Sequence, residues 1–237
     1  MSEGMAARFR RYSLELIVVF FGVWLGLLAE NFRENRQERR AERVSLARLN
    51  RDLAIDRQDM AGNLERAREG HSAASWLLRH ADSTDVDPDS VGYYLTRFQY
   101  ISGLALNTSE YTALKSSGRI NIVRDADLRQ RLTRLYESYP FVEALHESDR
   151  TEVWVAMDHI APHVRLGFPE TSAFPPTKVV GDPSALLRDP GFLQSVARVI
   201  SVRRLLIAGY EAKLPEIDAL RALTGAQAGT SATDSIP

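Results

Sequence analysis

His159 and His163 stand four residues apart beside Asp158, a helical spacing that can bring two imidazoles onto one metal ion. Two ligands do not close a site, and Pro162 disturbs the turn between them, so the residues favour ordinary histidines at a helix end. Glu143-x-x-His146 matches the i, i+3 element of di-iron helical bundles, but that chemistry needs a second Glu-x-x-His and two further glutamates. No second such element occurs. His146-Glu147 opens the zinc-protease pattern, yet Arg150 occupies the position of its second histidine. The sequence contains no G-x-S-x-G, Walker or G-x-G-x-x-G string. It also has no cysteine, which removes disulfides, thiolate metal sites and cysteine nucleophiles. The sequence therefore assigns no catalytic residue, metal or cofactor, and the chain reads as a protein other than an enzyme.

A different kind of candidate lies near the N-terminus. Between 12 and 29 (YSLELIVVFFGVWLGLLA) the residues are apolar all round and Glu15 is the only charge. About eighteen residues at roughly 1.5 Å each give roughly 27 Å, enough for a helix to cross the hydrocarbon of a bilayer. A charged segment follows directly, with no small-residue cleavage site, so the span is expected to be retained. Glu15 is an intramembrane carboxylate, a candidate for a proton, ion or partner contact; its shallow position also lets it reach the interface or pair with Arg11. Gly22 and Gly26 form a G-x-x-x-G face on which two helix backbones could approach, which suggests self-association. Arg8, Arg10 and Arg11 precede the span and Arg33, Arg36, Arg39, Arg40 and Arg43 follow it, so arginine counts point both ways. Moving three arginines across is disfavoured, whereas long C-terminal domains translocate largely regardless of charge, which favours the tail inside and the following domain outside the cytoplasm.

The elements that would carry these groups are helical. After a basic tail over 1–11 and the span over 12–29, no proline occurs before 82, predicting one long stalk helix over 30–82. Leu46, Leu53, Met60, Ala67 and Ala74 recur at sevens, flanked by Leu49, Leu64 and Leu78, the pattern of a packing seam. Pro88 suits the first turn of a helix over 89–102, whose aromatics Tyr93, Tyr94, Phe98 and Tyr100 read as core. Gly118 should close a short helix over 110–117, and Asp125 should cap the next. Residues 120–123 (INIV) read as extended, Pro140 as a kink or restart before a helix to 161, and 165–183, with four prolines, as a long loop. A second seam, Leu193, Ile200, Ile207 and Leu214 with Val196, Arg203, Tyr210 and Ile217, predicts a helix over 191–223 packed against the stalk-proximal helix. Arg203 interrupts that seam and needs a carboxylate, for which Asp56 is the candidate. Residues 225–237 have the composition of a disordered tail. The predicted fold is thus all-α, a transmembrane helix continuing into a stalk and then an antiparallel helical bundle over 83–224.

Several strings, taken together, are similar to those of an uncharacterised bacterial family of single-span membrane proteins with a C-terminal domain of unknown function. They are Tyr12-x-Leu14-Glu15-Leu16 and Gly22 in the span, Asn31-Phe32 after it, Leu46-x-x-Leu49 with Asp52-Leu53, and Tyr111-x-x-Leu114-x-x-Ser117-Gly118 followed by Leu128-Arg129. They cover about the first 140 residues of the chain. The resemblance implies single-pass anchoring in the bacterial inner membrane and no activity, cofactor or catalytic residue. With 30 basic and 31 acidic residues the chain has no overall field for nucleic acid. The expected partners are the bilayer, a second copy of the chain and a further membrane protein. The leading expectation is a membrane-anchored helical scaffold or interaction module; the alternative is an extracytoplasmic sensor or ligand-binding subunit that signals through a separate partner.

Overall fold

The computed structural model describes residues 3–101, 103–166 and 177–229, with side-chain detail from residue 20. It is all-helical apart from two three-residue strands. Helix α1 (Glu3–Arg79) is a single rod whose second half is the spine of the bundle. Two rows of that half are buried, spaced alternately three and four residues apart as in a coiled-coil seam. One is the expected Leu46, Leu53, Met60, Ala67, Ala74. The other is Leu49, Asp56, Asn63, Gly70, Leu77, in which polar and small residues hold the middle. Leu78, expected on the flank of the seam, is exposed, and its neighbour Leu77 takes the core position.

Helix α2 (Pro88–Phe98) starts at an Asp-Pro pair: Asp87 accepts the main-chain N–H of Ser90 at 2.9 Å and Pro88 occupies the first turn, where a missing N–H costs nothing. It ends at Phe98 rather than 102. Helix α3 (Ser109–Ser116) is closed by Gly118 at φ +69°, with Gly118 N–H on Lys115 O and Arg119 N–H on Leu114 O, both orphan carbonyls satisfied by a left-handed turn. The INIV run is not extended: Ile120–Ile122 form one 3-10 turn before Asp125 caps α4 (Ala126–Glu137). The left-handed turn delivers the chain tightly wound, and the buried Val123 fixes its far end. Pro140 acts as a restart, in the first turn of α5 (Tyr139–Ile160).

The segment read as a loop over 165–183 holds structure at both ends. Strands β1 (Val164–Leu166) and β2 (Thr177–Val179) pair antiparallel, Val164 opposite Val179, and α6 (Pro183–Leu187) follows; residues 167–176 lie outside the described ones. Three prolines of that stretch hid the strands, because pairing is supplied by tertiary contact: Thr96 Oγ1 accepts Thr177 N–H at 2.9 Å, and Gly92 lets Thr177 O approach α2 closely. Helix α7 (Pro190–Ala228) starts at another Asp-Pro pair, runs unbroken through Pro215 and ends at the left-handed Gly229. Residues 225–228, expected in the disordered tail, are thus helical, and 230–237 lie outside the description.

α7 lies antiparallel to α1. Asn50 donates to Thr224 Oγ1 at 2.9 Å, Arg57 pairs with Asp218 at 2.6 Å and Arg68 with Glu211 at 2.6 Å, so successive steps along one helix run backwards along the other. The α7 rows at the centre are Val196, Arg203, Tyr210, Ile217, Thr224 and Phe192, Val199, Leu206, Leu220. Leu193, Ile200, Ile207 and Leu214, the expected bundle seam, are half-buried on the flank, packed against the edges of the core. Sequence periodicity shows that α7 has apolar rows; which row faces α1 is set by the rotation that also lets α5 pack.

Among the described residues no helix is long and apolar enough to cross a membrane. The expected span over 12–29 begins in residues whose side chains are outside the description, and Glu15 is one of them. The described residues therefore do not show the membrane span of the expected fold, while the all-α part stands.

Candidate functional site

The core divides into two apolar clusters with a polar belt between them. One cluster gathers Leu46 to Leu64 of α1 with α3, α4 and the C-terminal half of α7; the other gathers Ala73 to Leu77 with α2, the end of α5, α6 and the start of α7. Arg203 sits at the junction, 2% exposed. Its Nε donates to Asp149 Oδ1 at 2.8 Å, and its Nη2 to Asp149 Oδ2 at 3.3 Å and to the carbonyl of Phe98 at 2.9 Å. The guanidinium lies against Gly70 of α1, so close that a Cβ there would stand 2.8 Å from Cζ. Arg203 thus meets Asp149 rather than Asp56, because α5 presents its carboxylate edge-on to the guanidinium fork while Asp56 is taken up elsewhere. This bidentate pair, fully desolvated, ties α1, α2, α5 and α7 together at one point.

Asp56 belongs to a second device. Asp52, Asp56 and Asp59 occupy one face of α1 and each accepts a main-chain N–H from the segment 103–110: Glu110 to Asp52 at 3.1 Å, Asn107 to Asp56 at 2.6 Å, Ala105 to Asp59 at 3.0 Å. Asn63 donates to Gly103 O at 3.1 Å, and Tyr139 O–H to Asp56 at 2.8 Å. An extended segment with no ladder of its own is thereby satisfied by side chains. Burial pushes the Asp56 carboxyl up to about 6, against the downward pull of Asn107 N–H and Tyr139 O–H, and the neighbouring Asp52 and Asp59 push the same way. The folded chain then holds a proton that the unfolded chain, near 3.8, releases. The stabilisation is present below about pH 4 and lost as pH rises through about 6. The urea midpoint of the full chain in detergent should rise between pH 7 and pH 5, and Asp56→Asn should remove most of that rise. Equal pH dependence in the two proteins would rule out Asp56 as the cause.

The histidines are placed apart. His159 Nδ1 lies 2.8 Å from Asp189, the cap of α7, His146 contacts the Tyr210 hydroxyl, and His163 sits in a 3-10 turn where its carbonyl accepts Val180 N–H. Glu143 is exposed on α5. Among the described residues no three His, Asp or Glu side chains converge as metal ligands would.

The remaining candidate is the end of α1 that leaves the bundle. Residues 20–40 are exposed throughout, and Phe20, Phe21, Val23, Trp24, Leu25, Leu27, Leu28 and Phe32 present apolar surface around the whole helix. Gly22 and Gly26 lie in this run with nothing within 4 Å of where a Cβ would stand, so their face is open. No protein family, curated protein or solved structure matches the chain. Below the apolar run, Arg124 clamps the charged neck to the bundle: its Nη2 bonds Asn35 at 2.9 Å and Glu38 at 2.8 Å, and its N–H meets Glu42 at 2.7 Å. An open cavity of about 510 Å³ lies between the neck residues Glu34, Gln37 and Glu38 and the turn residues Arg119, Asn121 and Ile122. The sequence disclosed the apolar run; the clamp and cavity join residues more than eighty positions apart and carry no local signal.

Proposed function

We propose that the chain is a membrane-anchored helical scaffold or interaction module: the N-terminal part of α1 enters the bilayer, and the bundle is held at its surface for a second copy or another membrane protein. The observation that carries this reading is the continuous apolar surface around residues 20–29, on the same helix that forms the spine of the core. A helix apolar on all sides needs either a core or a bilayer, and here the bundle covers none of it. With residues 12–19 the run reaches the length required to span. Two signals, Arg8 to Arg11 before the span and a long domain after it, favour the bundle outside the cytoplasm. The open Gly22–Gly26 face supports self-association within the membrane. The sensor reading draws on one observation, the cavity at the neck, where a ligand would touch both the anchor and the bundle.

The full chain should sediment with membranes and stay in the pellet after alkaline carbonate, because a spanning helix is not held by surface charge. A chain beginning at residue 36 should go to the supernatant. Release of the full chain by carbonate would overturn the anchor.

A further inference from the structure

The neck cavity has a chemistry and a height that define a ligand. Glu34 lies five residues beyond Ala29, a rise of roughly 7–8 Å along the helix, and the polar zone of a bilayer extends about 5–8 Å beyond each face of its hydrocarbon. If α1 crosses the membrane up to Ala29, as proposed above, Glu34, the α1 lining residue nearest the bilayer, stands at the outer edge of the headgroup zone. At about 510 Å³ it has the size of a small-molecule pocket.

Its lining is of mixed sign. Arg124 and Glu38 neutralise one another across 2.8 Å. Glu34 and Arg119 line separate walls, one on α1 and one on the turn, and neither has an ion-pair partner among the described residues. Gln37 and Asn121 add amide groups, and Ile122 and Ala41 add apolar lining. The walls are preformed: Arg124 fixes the helix side, and the Arg119 N–H is bonded to Leu114 O at 2.8 Å in the left-handed turn after α3.

We propose that this cavity binds the headgroup of an ethanolamine phospholipid, its phosphate against Arg119 and its ammonium against Glu34. A guanidinium and a carboxylate on separate walls match a zwitterion, whereas an anionic headgroup would leave the Glu34 carboxylate without a counter-charge. A primary ammonium brings three N–H donors, for which the Glu34 carboxylate and the Gln37 and Asn121 carbonyl oxygens are acceptors. A choline headgroup has no N–H and is recognised by aromatic rings; none lines this cavity among the described residues. A lipid held here would bridge the anchor and the bundle and set the height of the bundle over the membrane.

The test uses the full chain in vesicles of equimolar dioleoyl phosphatidylethanolamine, phosphatidylcholine and phosphatidylglycerol, extracted in mild detergent, with retained lipid read by native mass spectrometry. Phosphatidylethanolamine should be enriched about tenfold over phosphatidylcholine. Arg119→Ala and Glu34→Gln should each return the ratio to near that of the vesicles; both side chains are exposed, and an unchanged circular dichroism melt establishes that the variants fold. Retention of phosphatidylglycerol instead, or equal retention of all three by a chain that does enter the vesicles, overturns the headgroup assignment alone. Tight binding of soluble phosphoethanolamine to lipid-free chain assigns the cavity to a soluble ligand and overturns it too. A chain that never enters the vesicles overturns the anchor and this proposal together.

Discussion

A chain ended at residue 189 should show no cooperative unfolding transition, whereas one ended at 229 should melt as a single unit. α7 supplies Phe192, Val196, Val199, Leu206, Tyr210, Ile217 and Leu220, each no more than 2% exposed. Each contributes roughly 1.5–3 kcal/mol through burial, so that together, at roughly 10–21 kcal/mol, they are as large as the 5–15 kcal/mol that a domain typically retains as net stability. Their removal also bares the buried rows of α1 and leaves Asp149 without its cation. Point changes should follow the observed rows rather than the expected seam: Leu206→Ala should cost about 2–5 kcal/mol, and Ile207→Ala, half-buried on the flank, distinctly less. Thermal circular dichroism of the two truncations decides the matter. Equal melting temperatures would place α7 outside the bundle.

The second large effect is at the belt. Asp149→Ala should cost about 3–5 kcal/mol, because it strands a buried guanidinium rather than merely removing a contact. Replacing both partners, Arg203→Met with Asp149→Leu, should recover much of that loss, since an apolar pair escapes the desolvation penalty. Gly70 supplies an independent check. In the native protein Gly70→Ala drives a methyl into the Arg203 guanidinium, at a cost of roughly 1–3 kcal/mol. With Arg203→Ala already present, the same change should be neutral or stabilising by up to about 1 kcal/mol, the ordinary gain of alanine over glycine inside a helix. Urea titrations of the four proteins give the coupling. A Gly70→Ala cost that is the same in both backgrounds would disprove the contact.

Local features of this chain were legible because their causes are local. Pro88 opens the first turn of α2 and Asp125 caps α4 through its own side chain, three residues from the N–H it accepts, and the Leu46 to Ala74 stripe is a property of one helix surface. The second buried row of α1 was not legible, because Asp56, Asn63 and Gly70 look like solvent-facing residues until the 103–110 segment and Arg203 are laid against them. The same holds for the strands at 164–166 and 177–179, whose pairing depends on α2.

The residues at 12–29 and 30–43 determine by themselves an apolar helical run and a charged neck, since hydropathy and the absence of proline act residue by residue. Only the tertiary structure decided that Arg203 pairs with Asp149 across 54 positions, that the row from Phe192 to Leu220 rather than that from Leu193 to Leu214 joins the expected Val196 to Ile217 row at the centre, and that Arg119 and Glu34 line one cavity. The physical reason is that a charge in a seam must find its partner among whatever helices close packing brings near. That choice is set by how four helices rotate to fill space together, which no single stretch of sequence encodes.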